Sequence, residues 1–528
     1  MSYSRVFTIA ELCREICWYL HDDSKPSLAN FAQTCRSFLE PALDVLWFKM
    51  FTMEPLLDLI PALEVSDQET EYGQTTFCYD ILYPLEAEDW CRFDYYVHRI
   101  HILEFIHRGE IDCDIYARLS QYTTSPNLLP SLRSITWSHD CRHKSFASVS
   151  SEVSPFLTSG LQTLHIGNYF DDADHAFVEP AIQSEENQAL LIFFHMLPRR
   201  CPALESLTLS GDLQNVSFSF LAKFQNLKVV SLRGLSTQIK DLSTTLEAMS
   251  VLPRLEKIRD FEIPGGPGVV SCTPGFPSLS HISTRYGNPT NLLAILRCIS
   301  SPSLQSFTSL ELAKGSNGDF LSCASLLVSK FSKTLQHVTI HSTHHYPVET
   351  VGLPIFETLS RGLPKLRTFG LTITVDLYHS GWPTMTDDQV ERMTLAWPNM
   401  ENLSLQHSIS LQSLKSMTNA WPSISSLTFS TLCISTPDLQ LPPPKPHTLH
   451  NLSVSKFRQS DPTAPPDDIS KVIHSMFPKL EVGFLGRMGC EVMKGVVALQ
   501  NGSAERLRKR RRDRVSLPTL LTLLRVFE

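Results

Sequence analysis

The sequence predicts an α/β chain: a small all-helical module, then a long repeat array whose strands line up as a curved parallel sheet with helices on its outer side. Three observations predict it. A short motif recurs 13 times between Leu132 and Leu480, with a mean spacing of 29 residues. Helical patterns precede most copies and stop at proline. The first 50 residues carry a different, purely helical periodicity.

The motif is a leucine, two variable residues, an apolar residue, one variable residue and a second apolar residue, often with proline two places before the leucine. It reads "LPSLRSITW" at Leu132, "CPALESLTL" at Leu204, "FQNLKVVSL" at Leu227 and "LPRLEKIRD" at Leu255. It returns as "FPSLSHIST" at Leu279, "LPKLRTFGL" at Leu366, "WPNMENLSL" at Met400, "WPSISSLTF" at Ile424 and "FPKLEVGFL" at Leu480. The alternation at its end is that of a strand with one buried face. Before it, runs such as Asp388–Pro398, Leu411–Pro422 and Asp467–Pro478 space apolar residues by three and four, then meet a proline that cannot continue the helix. A unit of helix, proline stop and short strand cannot bury both its faces alone, so the units must stack.

Bulk composition agrees. A chain of 528 residues exceeds one ordinary core unless the core extends in one dimension. With 42% hydrophobic and 19% charged residues it is too apolar for disorder. The most apolar run, Ala189–Leu197, falls far short of a membrane span, and residues 1–30 lack the basic start and apolar centre of a secretory signal. Thirteen cysteines without Cys-x-x-Cys pairs read as reduced thiols, and the expected compartment is cytoplasm or nucleus. The net charge of −8 opposes general nucleic-acid binding, although Arg506–Arg514 is a concentrated basic run that reads as a solvated tail or an import signal.

In the N-terminal module, "TIAELCREICWYL" sets Ile9, Leu12, Ile16 and Leu20 on one helical stripe. A turn at His21–Ser27 precedes a second apolar pattern through Leu28, Phe31, Ala32, Cys35, Phe38, Leu43, Leu46 and Trp47. Three short helices in about 45 residues make a core too small to be comfortably stable, which leaves apolar surface for a partner.

Two resemblances follow from these residues. The motif copies resemble irregular leucine-rich repeats over roughly residues 128–490. Glu11, Leu12, Ile16 and Leu20, then Cys35, Arg36, Phe38, Leu46 and Trp47, resemble an F-box, and "TCRSFLEPALDVLW" is similar to the second half of that module in fungal F-box proteins with leucine-rich repeats. "DWCRFDYYVHRI" resembles the segment that often follows it. This chain departs where the family usually carries a proline in the first turn, having Thr8, Ile9 and Ala10 instead. The expected organisation is an F-box at 1–50, a helical linker and repeat cap at 51–127, the repeats at 128–490, and a C-terminal cap with a basic tail at 491–528.

The resemblance implies a non-enzymatic, substrate-recognition subunit of an SCF-type ubiquitin ligase, which binds a Skp-type adaptor, and through it a cullin, and presents a target held by the repeats. Its adaptor contacts would be Ile9, Leu12, Ile16, Leu28, Phe31, Cys35, Phe38, Leu43, Leu46 and Trp47. An interaction scaffold that joins no ligase is the alternative.

The repeats also foretell a face. The second, fourth and sixth residues after each motif leucine alternate to the open side of the sheet. Over the 13 copies none of these 39 positions is Asp or Glu, where the chain average would put about four. Strand propensity accounts for part of that depletion. The alternative is a surface for an acidic or phosphorylated target, with Arg233, Lys257, Arg259, His281, Arg285, His337 and His341 as candidates.

Other chemistry finds no local support. Cys13 and Cys17 lie one helical turn apart but lack a second ligand pair, and neither Asp171–His175 nor His341–His345 has zinc-site spacing. Pro264–Gly268 is glycine-rich without the lysine of a phosphate-binding loop, and no Gly-x-Ser-x-Gly or His-Glu-x-x-His occurs. No cofactor or metal is expected. The one enzymatic alternative would use His341, His344 and His345 on repeat loops.

Overall fold

The architecture is that of a computed structural model, which describes residues 10–500 apart from 24, 70–74, 108–113, 123–126, 140–145, 169–179, 214–215, 236–238, 264–269, 313–316, 343–347, 374–383, 436–446, 460–465, 481–491 and 493. The chain divides into two compact units, Met1–Gly287 with Arg297–Pro302, and Asn288–Leu296 with Ser303–Glu528.

The first unit opens with α1 (Ala10–Asp23), α2 (Lys25–Thr34) and α3 (Arg36–Phe48), which pack around Cys17, Leu28, Ala32, Ala42 and Val45. Its strands are β1 (Lys49–Met50), β4 (Ile102–His107), β5 (Ser134–His139), β6 (Thr163–Asn168), β7 (Ser206–Leu213), β8 (Val229–Leu235), β9 (Lys257–Glu262) and β10 (His281–Arg285), all parallel and hydrogen-bonded in that order. Between and behind them lie α4 (Glu54–Leu57), the hairpin β2 (Leu63–Glu69) and β3 (Thr75–Ile81), α5 (Cys91–Val97), α6 (Asp114–Ser120), α7 (Phe146–Val153), α8 (Pro180–Arg200) and α9 (Ile239–Ser250).

The second unit holds most of α10 (Pro289–Cys298) and six parallel strands: β11 (Ser306–Leu312), β12 (His337–Ser342), β13 (Thr368–Ile373), β14 (Asn402–Ser410), β15 (Ser426–Ile434) and β16 (Asn451–Gln459). Its other helices are α11 (Asn317–Phe331), α12 (Val348–Gly362), α13 (Asp387–Ala396), α14 (Leu411–Ala420) and α15 (Pro466–Met476).

Each motif residue from Leu132 to Leu480 is buried, and the first apolar residue after it is buried wherever it is described. The motif therefore works as a hydrophobic anchor that sets where every strand starts. A second device repeats with it. The carbonyl just before most strands accepts two amides from the next repeat, as Arg133 does from Gln162 and Thr163, and Gln336 from Arg367 and Thr368. One oxygen with two lone pairs thus stitches neighbouring turns at the point where the chain enters the sheet.

The helices expected from sequence form as read. α13 starts with a reciprocal capping box between Thr386 and Gln389, and both α13 and α14 end at a buried tryptophan, Trp397 and Trp421, immediately before proline. Trp397 fills the space under the sheet against Phe369 of β13 and Phe356 of α12, with ring centroids 4.9 and 5.6 Å away.

Several elements differ from the sequence expectations. The repeat pattern starts before Leu132: in β4, Leu103 and Phe105 are buried behind Ile100, which takes the place of the motif leucine. Residues 51–127 carry, besides helices, that strand and the antiparallel hairpin running from Leu63↔Ile81 to Glu69↔Thr75. Before Leu227 the chain makes a 3-10 turn, Phe218–Lys223, and no helix is described between Leu255 and Leu279. The alternation of β9 also breaks. Phe261, assigned to the open face, is fully buried, because Asp260 adopts φ 48° and is looped out as an extra residue. Register passes from Ile258↔Ile282 to Phe261↔Thr284, a bulge that keeps the aromatic ring in the core. The left-handed backbone at a non-glycine residue costs about 1 to 2 kcal/mol.

Candidate functional site

In the N-terminal module, α1 carries apolar residues on two neighbouring stripes, and packing selects one of them. Among the described residues of α1, Cys13 and Cys17 are buried, Cys17 in the module core with Trp18 and Leu20 partly buried against it. Burial raises the Cys17 thiol above its ordinary pKa, as expected of a small apolar core residue. The stripe Leu12, Ile16 and Tyr19, spaced by four and three, is left outside: Leu12 is 42% and Tyr19 76% exposed, and Ile16 is half-buried. Sequence periodicity placed Leu20 on one stripe with Leu12 and Ile16, whereas Leu20 turns to the core; it missed Tyr19, whose position seven residues after Leu12 was the available signal.

The remaining adaptor candidates divide. Leu28 belongs to the module core and Phe38 is buried, stacked on half-buried Phe31 at 4.2 Å. Leu43 and Leu46 are half-buried, Leu46 against the core. Cys35 is exposed as the residue capping the start of α3, where the Ser37 amide and hydroxyl lower its thiol pKa. Trp47 faces the chain itself, its ring 4.5 Å from Tyr96 of α5. Ile9 lies outside the described residues.

The module is tied to the first strands by polar and aromatic contacts. The Arg99 guanidinium pairs with Glu40 and Asp44 of α3, and Arg14 of α1 reaches Asp44 at 3.3 Å. The Tyr95 hydroxyl donates to Glu40 at 2.6 Å and holds that carboxyl, together with Arg99, below its ordinary pKa. Phe48 packs edge-on against Trp18 and 5.1 Å from His101, while β1 pairs with β4. Two carboxylates on successive turns of α3 sharing one guanidinium fix orientation more than they add stability, since the carboxylates stay partly exposed.

On the open face of the first unit, the candidate cations occupy β8, β9 and β10. Lys257 and His281 are register partners, and Arg259 is exposed beside Ser231 of β8. Arg233 pairs with Asp260, the looped-out residue of the β9 bulge. Arg285 lies in register with Glu262 and over the ring of Tyr286, itself at φ 58°. The charge of Arg233 reaches His165 of β6, whose pKa is lowered first by burial and then by that cation. Of the four bases, Lys257 and Arg259 have no ion-pair partner among the described residues. The acid depletion read from sequence missed Asp260, since it sits one residue off the alternation.

In the second unit, His337 and His341 are half-buried on β12, beside Thr368 and Thr372 of β13. Around them the open face is neutral and hydroxyl-rich. Asn402 donates to Thr368 at 3.4 Å and accepts from Ser425 at 2.9 Å. Among the described residues no group of three or more His, Cys, Asp or Glu side chains is placed to hold a metal ion. His344 and His345, Asp171–His175, Pro264–Gly268, the residues after Leu480 where the sequence predicts a strand, and the basic run at 506–514 lie outside the described residues.

The chain matches no protein-family model and no curated protein sequence. Among solved structures it is similar to a leucine-rich-repeat protein of Leptospira interrogans, at 11% identity over 83% of this chain and 99% of that one, with a TM-score of 0.31. The fold assignment rests on the strands themselves: eight parallel strands in the first unit and six in the second, all but β1 behind a buried motif residue and most behind a helix, make a leucine-rich-repeat-like α/β array.

Proposed function

We propose that this chain is a substrate-recognition subunit of an SCF-type ubiquitin ligase. Its helical module takes a Skp-type adaptor and through it a cullin, and the open face of its repeats takes a target protein. The observation that carries the reading is the division of α1, in which Cys13 and Cys17 fill the core and the larger apolar residues Leu12, Ile16 and Tyr19 are turned outward. An apolar helix face kept out of its own core suits a partner. Half-buried Phe31, Leu43 and Leu46 and exposed Cys35 would extend that contact, whereas Leu28, Phe38 and Trp47 would support it from within.

The chain would contribute no chemistry, raising the effective concentration of target lysines near a ubiquitin-charged enzyme. Among the described residues no helix is long and apolar enough to cross a membrane, and the reading places the protein in cytoplasm or nucleus.

The test is co-purification with a Skp-type adaptor, using the intact chain and the double variant Leu12→Asp/Ile16→Asp. Both side chains lie off the module core, so the variant should fold and lose the adaptor. If the intact chain captures no adaptor, the reading fails, and a repeat scaffold that joins no ligase takes its place.

A further inference from the structure

We propose that Lys257 and Arg259 form the floor of a binding site for an anionic peptide segment, and that Asp260 acts as a built-in competitor holding Arg233 until that segment arrives. The inference rests on the open face of the repeats being the target surface, and needs no adaptor.

The placement begins with β9. Lys257 and Arg259 are two residues apart on one strand and project to the same face, about 7 Å from each other along the backbone. The strand ladder puts His281 beside Lys257 and Ser231 beside Arg259. Ammonium, guanidinium, imidazole and hydroxyl are all groups that donate to carboxylate or phosphate oxygen. Lys257 and Arg259 make no ion pair among the described residues, and in the sequence residues 236–238 and 264–269, which follow β8 and β9, include no Asp or Glu.

Asp260 differs from an ordinary surface partner. β8 and β9 stay in register only as far as Ser231↔Arg259. Past that point Asp260 turns to φ 48° and its carboxylate meets the Arg233 guanidinium, with side chains 26% and 42% exposed. A regular strand would have continued the face with Phe261, which the bulge sends into the core instead. The bulge thus presents one carboxylate to the third cation of the cluster, at a position where water and an incoming anion can both compete for it. Left-handed backbone at non-glycine residues gathers in this stretch, at Asp260, Phe276 and Tyr286, and such strain marks sites where conformation serves function. The net balance of Arg233, Lys257, Arg259 and Arg285 against Asp260 and Glu262 stays positive.

The test is fluorescence anisotropy of the full chain with two labelled probes, a glutamate-rich peptide and the same peptide with phosphoserines in place of the glutamates. Binding should weaken as salt rises. Lys257→Gln/Arg259→Gln should abolish it, while circular dichroism stays that of the unaltered chain. Asp260→Asn frees Arg233, keeps a residue tolerant of left-handed backbone, and should tighten binding about two- to fivefold, the range for a half-exposed ion pair. Tighter capture of the phosphoserine probe would assign the site to phosphorylated targets, and equal capture to acidic ones. The proposal is overturned if neither probe binds, if binding survives the double Gln variant, or if Asp260→Asn leaves affinity unchanged. Each result stands apart from adaptor capture, which the module alone decides.

Discussion

Lowering the pH from 7 to 5 should destabilise the second unit through one side chain, His407 of β14. The imidazole is 4% exposed, its Nδ1 has no hydrogen-bond partner among the described residues, and burial alone lowers its pKa from 6.5 to about 4. The folded state therefore keeps His407 neutral while the unfolded chain takes up a proton below pH 6.5, so stability is complete above that value and is lost as pH falls from 6.5 toward 4. The gap of about 2.5 pH units corresponds to about 3 kcal/mol in full. At pH 5 the unfolded imidazole is almost wholly protonated and the folded one hardly at all, giving a loss of about 2 kcal/mol relative to pH 7. Urea unfolding followed by tryptophan fluorescence, which reports on Trp397 and Trp421 in neighbouring repeats, measures this at the two pH values. Carboxylates titrate in the same interval, so the decisive quantity is the difference between the unaltered chain and His407→Gln. The variant should lose about 2 kcal/mol less on acidification. Equal losses would refute the argument, because the acid sensitivity would then arise elsewhere.

Two further predictions concern the repeats. At Gly362, the last residue of α12, an added Cβ would lie 2.1 Å from Val328 Cγ1, so Gly362→Ala should destabilise by about 1 to 3 kcal/mol in urea unfolding. Gly160→Ala, with nothing within 4 Å of the added carbon, is the control and should stay within about 0.5 kcal/mol. Thr386→Ala removes the hydroxyl that accepts from the Gln389 amide at the start of α13, and should cost about 1 kcal/mol by the same measurement.

The strands of the array were legible because their signal is local and repeated. One buried residue, leucine in all copies but two, fixes the strand start, and proline marks most helix stops; no long-range contact is needed to read either. β4 was missed because Ile100 replaces the leading leucine with no proline two places before it, and the hairpin β2–β3 because its strands alternate weakly and depend on pairing with each other. Gly362 shows the same limit, since nothing in "RGLP" announces that Val328, 34 residues earlier, closes over it.

By itself, the sequence determined that this protein stacks helix-strand units behind a small helical module, since apolar periodicity and proline placement act over a few residues. Only the tertiary structure decided which stripe of α1 is core and which is surface. Both stripes are apolar at helical spacing, and the choice falls to the small Cys13 and Cys17, leaving Leu12, Ile16 and Tyr19 outside. Only the structure, too, decided which cations of the open face are unpaired. That depends on Asp260 leaving the alternation to meet Arg233 on the adjacent strand, a contact between residues 27 positions apart that no local pattern encodes.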